Sequence, residues 1–198
     1  MSAVQALLLA GGFSRRFGAD KRQARLALGD TLLERSLRTW ASALGAVHVA
    51  LRGTDEALAR RVEALGGVPL LCSRSEEGLG ATLAQAVAQL PPGPVLVGLA
   101  DMPFVQAGTL QALARRLEGG APAVAPFFNG QRGNPVGFGV EHRPKLLALQ
   151  GDRGAGPLLV GLALERVDVD DAGVLVDIDQ PADLQTSGDA AQPPATPG

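Results

Sequence analysis

A short apolar segment near the start of the chain ends abruptly in two glycines, and this boundary constrains the fold strongly. Residues 5–10 form a nearly continuous apolar run, and Gly11 and Gly12 follow it directly. A brief apolar run closed by glycine is typical of a buried strand in a parallel sheet. We therefore expect a central strand that opens into a loop at the carboxyl edge of such a sheet.

The loop after this strand carries groups that suit a chain of phosphates. It contains Ser14, Arg15, Arg16, Gly18 and Lys21. Glycines let backbone amides approach a ligand closely, and cationic side chains offset the charge of an anion. The loop fits neither the Gly-x-x-x-x-Gly-Lys-Ser/Thr pattern of a P-loop nor the Gly-x-Gly-x-x-Gly pattern of a dinucleotide fingerprint. We interpret it as a cradle for nucleotide phosphates; the alternative is an ordinary strand-to-helix turn with solvated arginines.

Helical and strand patterns alternate along the rest of the chain. Thr31 and Glu34 have the spacing of a capping box, and an apolar helical face that includes Trp40 continues to Gly45. Further strands are predicted at 47–51, 69–72, 95–99, 123–127, 164–169 and 174–178, and further helices at 55–65, 82–90, 109–117, 145–149 and 157–162. This alternation indicates an α/β domain.

The length of 198 residues suffices for one such domain with a sizeable core. We place the domain at residues 1–185. The remaining residues, 186–198, consist mainly of Ala, Pro, Gly and Gln and have no apolar period. We therefore expect this tail to be disordered.

Asp101 follows a strand pattern at the position where α/β sheets bind ligands. Residues 95–99 predict a fully buried strand, and Ala-Asp-Met-Pro comes directly after it. Ligands of open parallel sheets bind outside the carboxyl ends of the strands. We expect Asp101 to lie at the same sheet edge as the glycine loop; the alternative is that it only caps the following turn.

Two glycine-bearing turns contain further candidate binding residues. The turn at 76–82, which includes Gly80, leads into a predicted helix whose backbone amides could bind an anion. The alternative, which the residues alone favour, is a simple loop. In the second turn, 151–155, Arg153 follows Asp152 and suits the phosphate of an acceptor substrate. The alternative for this second turn is a surface ion pair between the two side chains.

Asp177 and Asp179 alternate within the strand predicted at 174–178 and just after it. Alternate residues of a strand point to the same face, so the two carboxylates are expected to lie side by side. Two like charges at close range require a cation or hydrogen-bond donors. The pair is therefore a candidate metal site.

Composition excludes several classes of protein. The net charge of −2 is unlike that of a general nucleic-acid binder, and no uncharged apolar run approaches the ~20 residues of a membrane span. The single cysteine, Cys72, rules out an internal disulfide, and we expect it to be a small buried hydrophobe. Because only two histidines are present, a hard cation held by carboxylates, such as Mg²⁺, is favoured over zinc. No secretory signal is recognised, and we expect a cytoplasmic location.

The glycine loop resembles the Leu-Ala-Gly-Gly-x-Ser-x-Arg-x-Gly-x-Asp-Lys signature of nucleotidyltransferases, and in particular of the molybdenum cofactor guanylyl- and cytidylyltransferases. Segments 99–103, 133–135, 149–154 and 177–183 extend the resemblance over nearly the whole expected domain. The resemblance implies a single three-layer, Rossmann-like α/β domain with a mostly parallel central sheet.

The resemblance also implies an activity, in which an acceptor phosphate attacks the α-phosphorus of an NTP and pyrophosphate leaves with the help of Mg²⁺. The implied catalytic residues are Arg15, Lys21 and Asp101. The implied nucleotide-binding residues are Leu9, Ala10, Gly11, Gly12, Ser14, Arg15, Arg16, Gly18, Lys21, Gly80 and Asp101. The implied acceptor-binding residues are Asn134, Asp152 and Arg153. The implied metal ligands are Asp101 together with Asp177 or Asp179, and the choice between these two is open.

The choice of nucleotide is open between CTP and GTP. Leu-Ala-Gly-Gly and segment 102–104 resemble the guanylyl branch, whereas segments 133–135 and 151–155 resemble the cytidylyl branch, in which a histidine stands in place of Asn134. We favour CTP on the overall pattern. Molybdopterin is the expected acceptor, and a molybdoenzyme or a delivery chaperone is a possible partner; nucleic acid and membranes are not expected. The alternatives are another phosphorylated small-molecule acceptor and a non-catalytic module that binds the cofactor.

Overall fold

The computed structural model describes residues 3–12, 20–26, 29–180 and 183. The loop residues Ser14, Arg15, Arg16 and Gly18 and the tail 186–198 lie outside the described residues. Within the described residues, eight strands form one sheet that carries helices on both faces. No helix in this part of the chain has the length and apolar character needed to cross a membrane.

The elements alternate as the sequence predicts. The strands are β1 Gln5–Leu9, β2 Val47–Arg52, β3 Val68–Cys72, β4 Val95–Leu99, β5 Ala123–Phe128, β6 Gln131–Arg132, β7 Val136–Phe138 and β8 Leu164–Asp168. The helices are α1 Leu32–Leu44, α2 Glu56–Ala64, α3 Leu79–Gln89, α4 Ala107–Glu118 and α5 Arg143–Leu147. Short 3-10 turns cover Lys21–Gln23, Ser75–Glu77, Val140–His142, Gly156–Leu159 and Ala172–Leu175.

The sheet is mostly parallel around β1. Its strand order is β3-β2-β1-β4-β7-β5-β6, and β8 also pairs with β5. The pairs β3–β2, β2–β1, β1–β4 and β5–β8 are parallel, whereas β7 is antiparallel to both β4 and β5. Leu9 lies opposite Ala50 of β2 and Leu99 of β4, so the carboxyl ends of three strands meet at one edge. This arrangement confirms the expected fold class.

Alternate residues of β1 face the two helical layers. Leu8 belongs to the core beneath α1, α2 and α4, whereas Leu7 belongs to the core beneath α3 and α5. Trp40 of α1 is buried in the first core, as its position on the apolar helix face predicts. It lies directly over Gly98 of β4, where an added Cβ would be 2.2 Å from the indole ring. Gly98 therefore makes room for the largest side chain in this layer.

The start of α1 follows the pattern read from the sequence. The Thr31 hydroxyl accepts a hydrogen bond from the Glu34 backbone N–H at 3.2 Å, and the Glu34 carboxylate accepts one from the Thr31 N–H at 3.0 Å. Two of the helix's otherwise unpaired amides are thereby satisfied. The helix ends at Gly45, whose φ of +80° a residue with a side chain rarely adopts.

Three sequence predictions of local structure are wrong. Residues 174–178 form no strand: the 3-10 turn Ala172–Leu175 covers their first part, and the Ile178 N–H bonds to the Asp101 carbonyl at 3.0 Å instead of to a neighbouring strand. The helix predicted at 157–162 is only the 3-10 turn Gly156–Leu159. Helix α3 begins at Leu79 rather than at residue 82, because Gly78 takes the N-cap position.

Candidate active site

A cleft of about 380 Å³ lies at the carboxyl ends of β1 and β4, and we call it the main cleft. It is lined by Leu9, Ala10, Gly11, Gly12, Lys21, Arg22, Ser75, Glu76, Gly78, Leu79, Thr82, Leu99, Ala100, Asp101, Asp152 and Asp179. The fold therefore brings together most of the described residues that the sequence singles out. Gly80, Asn134, Arg153 and Asp177 are not among the lining residues.

Lys21 is the centre of a charged cluster in this cleft. Its ammonium group lies 2.5 Å from Asp101 Oδ2 and donates a hydrogen bond to Asp179 Oδ1 at 3.0 Å. It donates another to the Ile178 carbonyl at 3.3 Å. The cation thus joins the 3-10 turn after the glycine loop, the end of β4 and the segment after β8.

The electrostatic environment keeps the lysine charged. Burial acts to lower the pKa of Lys21, but hydrogen bonds and charges from Asp101 and Asp179 outweigh it and raise that pKa above its usual value. Burial raises the pKa of Asp101, and the hydrogen bond and charge of Lys21 offset only part of this effect. The negative charge of Asp177 adds to the rise in the pKa of Asp101, so Asp177 interacts with the cluster electrostatically.

The two carboxylate oxygens of Asp101 have different surroundings. Oδ2 faces Lys21, whereas Oδ1 is buried and has no hydrogen-bond partner among the described residues. A buried carboxylate oxygen without a partner is costly, so its presence in a cleft points to a group that binds there. The backbone that presents it is held by the Ser36 hydroxyl, which donates to the Ala100 carbonyl at 3.0 Å.

Asp179 is positioned by a local carboxylate clamp. The side chain of Asp183 accepts hydrogen bonds from the backbone N–H groups of Asp179 at 3.0 Å and of Gln180 at 2.8 Å. This clamp fixes the backbone of Asp179 and Gln180, and the Asp179 side chain lines the main cleft. The Asp-x-x-x-Asp spacing from 179 to 183 is a local signal that sequence reasoning could have used.

Sequence reasoning missed Arg22, which is buried beneath the cleft. Its guanidinium donates to the Ala10 carbonyl at 2.8 Å, to both carboxylate oxygens of Asp20 at 2.7 Å, and to the carboxylate of Asp55. Burial acts to lower the pKa of Arg22, but the two carboxylates outweigh it and raise that pKa. Arg22 therefore ties the end of β1 to the start of α2. Its adjacency to Lys21 concealed this role, since both resemble loop cations in sequence.

Arg52, at the end of β2, holds the first residues of the glycine loop. Its side chain donates hydrogen bonds to the carbonyls of Gly11, at 3.3 Å, and Gly12. A Cβ added at Gly11 would lie 2.9 Å from Thr82 Cγ2, whereas one at Gly12 would meet no described residue within 4 Å. Gly11 is thus required for close packing against α3.

Gly80 serves the packing of α3 rather than the lining of the cleft. Its N–H donates to the Gly151 carbonyl at 2.8 Å, and the Ala81 N–H donates to the same oxygen at 3.3 Å. A Cβ at Gly80 would lie 2.4 Å from the Arg153 carbonyl oxygen. The expected anion-binding amides of Gly80 and Ala81 therefore bind the 151–153 loop of the chain itself.

A second concavity of about 170 Å³, which we call the side pocket, adjoins the main cleft at Leu99. It is lined by Leu99, Met102, Arg132, Gly133, Asn134, Val174, Leu175 and Asp177. Asn134 and Asp177 thus lie here, whereas Asp179 lies in the main cleft. The two aspartates diverge because the segment that carries them is not a strand. Arg153 is exposed and lines neither concavity.

The described residues offer carboxylates in pairs rather than in a preformed metal cluster. No group of three or more His, Cys, Asp or Glu side chains suited to a metal ion occurs among them. Asp101 and Asp179 share Lys21 as their cation. Chemically, this cleft combines backbone groups from 9–12 with a lysine held between the carboxylates of Asp101 and Asp179, and Arg22, Glu76 and Asp152 also line it.

The sequence matches the family model described as the MobA-like NTP transferase domain over residues 6–167. This match spans most of the chain. The chain belongs to the MobA-like NTP transferase family. The main cleft lies at the carboxyl edge of the sheet, where open α/β folds bind their ligands. Among curated proteins, none matches the sequence significantly.

Solved structures share the fold along almost the whole chain. A nucleotidyl transferase from Methanothermobacter, Mth528, is 20% identical with a TM-score of 0.81, covering 96% of this chain and 98% of its own. Rv0371c from Mycobacterium tuberculosis, in a complex with manganese, is 22% identical with a TM-score of 0.75, covering 93% and 97%. Molybdopterin-guanine dinucleotide biosynthesis protein A from Archaeoglobus fulgidus is 22% identical with a TM-score of 0.69, covering 96% and 98%. At these identities the likeness concerns the fold.

Proposed function

We propose that this nucleotidyltransferase transfers an NMP from an NTP to the phosphate of molybdopterin. An oxygen of the acceptor phosphate attacks the α-phosphorus, the bond from that phosphorus to the bridging oxygen breaks, and pyrophosphate leaves. The observation that carries the proposal is the Lys21 ammonium held between Asp101 and Asp179, at the end of a cleft walled by the backbone of 9–12. Family membership supports the same reading.

Lys21 is proposed to stabilise the charge that gathers on the phosphates. Nucleotidyl transfer requires positioning and charge stabilisation more than covalent help, and a fixed cation in a partly buried cleft supplies both. Asp101, Asp179 and the Ile178 carbonyl are among the acceptors of this ammonium group. A phosphate oxygen would replace one of them. Binding of the same phosphates by Ser14, Arg15, Arg16 and Gly18 remains a prediction from the sequence.

Asp101 and Asp179 are proposed to hold Mg²⁺. The buried Oδ1 of Asp101, which has no partner among the described residues, fits a divalent cation. Mg²⁺ is commonly bound by one or two carboxylates together with substrate phosphates, so a pair of aspartates suffices. The cation would supply neutralisation of phosphate charge. Rv0371c, which has a similar fold, has been solved in complex with manganese, and this supports the use of a divalent metal. Asp177 lies in the side pocket, and its role as a metal ligand remains a prediction from the sequence.

CTP is the favoured nucleotide and GTP the alternative. The base would lie against the backbone of Leu9, Ala10, Gly11 and Gly12, where peptide groups can read a base edge. The Archaeoglobus fulgidus protein of similar fold is molybdopterin-guanine dinucleotide biosynthesis protein A. This likeness supports molybdopterin as the acceptor class and GTP as the alternative nucleotide. We still predict a molybdoenzyme or a delivery chaperone as the partner. The cytoplasmic location also remains a prediction.

The test is pyrophosphate release from the full chain with Mg²⁺ and molybdopterin, with CTP and GTP in separate reactions. Release with CTP is expected, and release with GTP alone would assign the guanylyl activity instead. Omission of molybdopterin should abolish the signal, which separates transfer from NTP hydrolysis. Absence of release with both nucleotides, from protein with a cooperative melting transition, would contradict the proposed acceptor.

A further inference from the structure

The side pocket contains an arginine whose charge the described part of the chain does not neutralise. Arg132 lines this pocket together with Asn134. No ion pair or hydrogen bond joins its guanidinium group to another described residue. Arg22, in contrast, is surrounded by Asp20 and Asp55. An arginine that faces a concavity with its donors unused is suited to an anionic ligand, above all to phosphate.

The backbone around Arg132 is held firmly enough to form a preorganised pocket. Arg132 lies on β6, opposite Phe127 of β5. The Gly133 N–H donates to the Pro126 carbonyl at 2.9 Å, and the Asn134 N–H donates to the Val174 carbonyl at 2.9 Å. A Cβ at Gly133 would lie 2.4 Å from the Val174 carbonyl oxygen, so the wall of the pocket is closely packed.

The lining of the side pocket specifies the chemistry of its ligand. Arg132 and Asn134 can donate hydrogen bonds, whereas the exposed carboxylate of Asp177 accepts them. Met102 and Val174 supply an apolar wall. A matching ligand is a small molecule that carries a phosphate, an apolar or ring-shaped body and hydrogen-bond donors. The pocket adjoins the main cleft at Leu99, so such a ligand would lie beside a bound nucleotide.

Arg153, the other candidate for an acceptor phosphate, is placed differently. It is exposed and lines neither concavity, and its backbone carbonyl packs against Gly80 of α3. The backbone of its loop docks α3, since the Gly151 carbonyl accepts the N–H groups of Gly80 and Ala81. The two arginines therefore form a matched pair, one inside a concavity and one outside.

We infer that Arg132 is the residue that binds the phosphate of the acceptor, in a subsite formed by the side pocket. The assignment of this phosphate to the acceptor rests on the proposed function, whereas the binding of a phosphate at Arg132 does not. Asn134 adds a neutral donor to the subsite, and Asp177 selects for ligands that carry N–H or O–H groups. Arg153 has no part in this subsite.

A binding experiment tests the subsite without any enzymatic turnover. Phenylglyoxal modifies accessible arginines, and peptide mass spectrometry gives the modification rate at each position. Inorganic phosphate in the millimolar range is expected to slow modification of Arg132 at least threefold relative to chloride at equal ionic strength, and to leave Arg153 unchanged. Equal rates at Arg132 with and without phosphate would overturn the inference, as would protection of Arg153 alone.

A kinetic experiment then tests the role in the reaction with Arg132→Gln and Arg153→Gln in the full chain. Arg132→Gln is expected to raise the KM for molybdopterin at least about tenfold, the loss expected for one charge-assisted hydrogen bond, with the KM for the NTP unchanged. Arg153→Gln should leave both values near wild type. The opposite pattern would overturn the inference. If the wild-type chain releases no pyrophosphate, the proposed function fails, and the phosphate-protection result alone decides the inference.

Arg132 and Arg153 are both exposed, so Arg132→Gln and Arg153→Gln should fold like the wild type. Equal melting temperatures of the two variants and the wild type check this. A third variant, Asp177→Asn, separates the subsite from a general charge effect. Removal of this carboxylate should preserve or strengthen phosphate protection of Arg132, since it removes a negative charge from the pocket. Loss of protection in Asp177→Asn would contradict the assigned geometry.

Discussion

The Lys21 ammonium lies 2.5 Å from Asp101 Oδ2, and this pair joins the glycine loop to the end of β4. The pair is largely buried, with side-chain exposures of 15% and 20%. Each residue therefore compensates the charge of the other before any ligand arrives. In the proposed reaction, a phosphate oxygen would accept from the Lys21 ammonium group, and the divalent cation would bind the Asp101 carboxylate. The resting ion pair thus keeps the site assembled.

Replacement of Lys21 should abolish most turnover. Lys21→Ala removes the fixed cation that stabilises charge in the transition state, and we expect at least ~100-fold slower pyrophosphate release with the fold intact. Lys145→Ala is the matched control, because Lys145 is the only other lysine in the sequence and is exposed on α5. Circular dichroism monitors the fold. Turnover near wild type in Lys21→Ala would remove Lys21 from the mechanism.

Arg22→Lys should lower both stability and nucleotide affinity. Lysine keeps the charge but cannot reproduce the forked contacts with Asp20, Asp55 and the Ala10 carbonyl, so we expect a loss of about 2 kcal/mol in the free energy of unfolding. The KM for the NTP should rise, because the end of β1 is released.

Arg38→Lys is the control for that experiment. Arg38 pairs with Asp30 at 2.6 Å but is 54% exposed, so its replacement should change the free energy of unfolding by less than about 0.5 kcal/mol. Urea unfolding of both variants gives the comparison. Equal stability of the two variants would show that the Arg22 contacts do not hold the sheet edge together.

Gly98→Ala should be strongly destabilising, since the new Cβ would lie 2.2 Å from the Trp40 ring. We expect a loss of about 3 kcal/mol through overpacking of the core. Gly108→Ala, in α4, is the contrasting change: no atom of the described residues lies within 4 Å of an added Cβ there, and we expect a gain of about 0.5 kcal/mol from helix propensity. Thermal unfolding should rank the variants Gly108→Ala, wild type, Gly98→Ala. A small effect of Gly98→Ala would mean that Trp40 can shift freely.

Cys72 should be inert in the folded protein, as its buried position on β3 predicts. Burial raises the pKa of its thiol to about 11, so the thiol stays protonated at pH 8. Alkylation by iodoacetamide at pH 8 should be at least ~100-fold slower in native protein than in guanidinium chloride. The unfolded thiol ionises at lower pH, so stability should fall as pH rises from about 9 towards 11. Rapid alkylation of the native protein would contradict the burial of Cys72.

Local patterns in the sequence predicted the elements that depend on neighbouring residues. The Thr31 and Glu34 capping box, the Gly45 helix end and the buried β1 and β4 all appear as expected. The same patterns placed Asp101 beside the glycine loop, because both follow parallel strands that end at one sheet edge. The burial of Cys72 and Trp40 also follows from a local pattern, since each residue lies on the apolar side of its element.

Contacts between distant segments were decided only by the tertiary structure. Alternation predicted that Asp177 and Asp179 share a face, but the Ile178 N–H bonds to the Asp101 loop, and the two carboxylates enter different concavities. In the sequence Arg22 resembles a loop cation, and only the fold places Asp55 beside it. Gly80 resembles an anion-binding residue, but in the fold its N–H group donates to the carbonyl of Gly151. The sequence by itself determined where strands and helices begin and which faces are apolar, because those preferences are local. Which polar groups meet depended on how segments far apart in the chain pack together, and no local pattern encodes that packing.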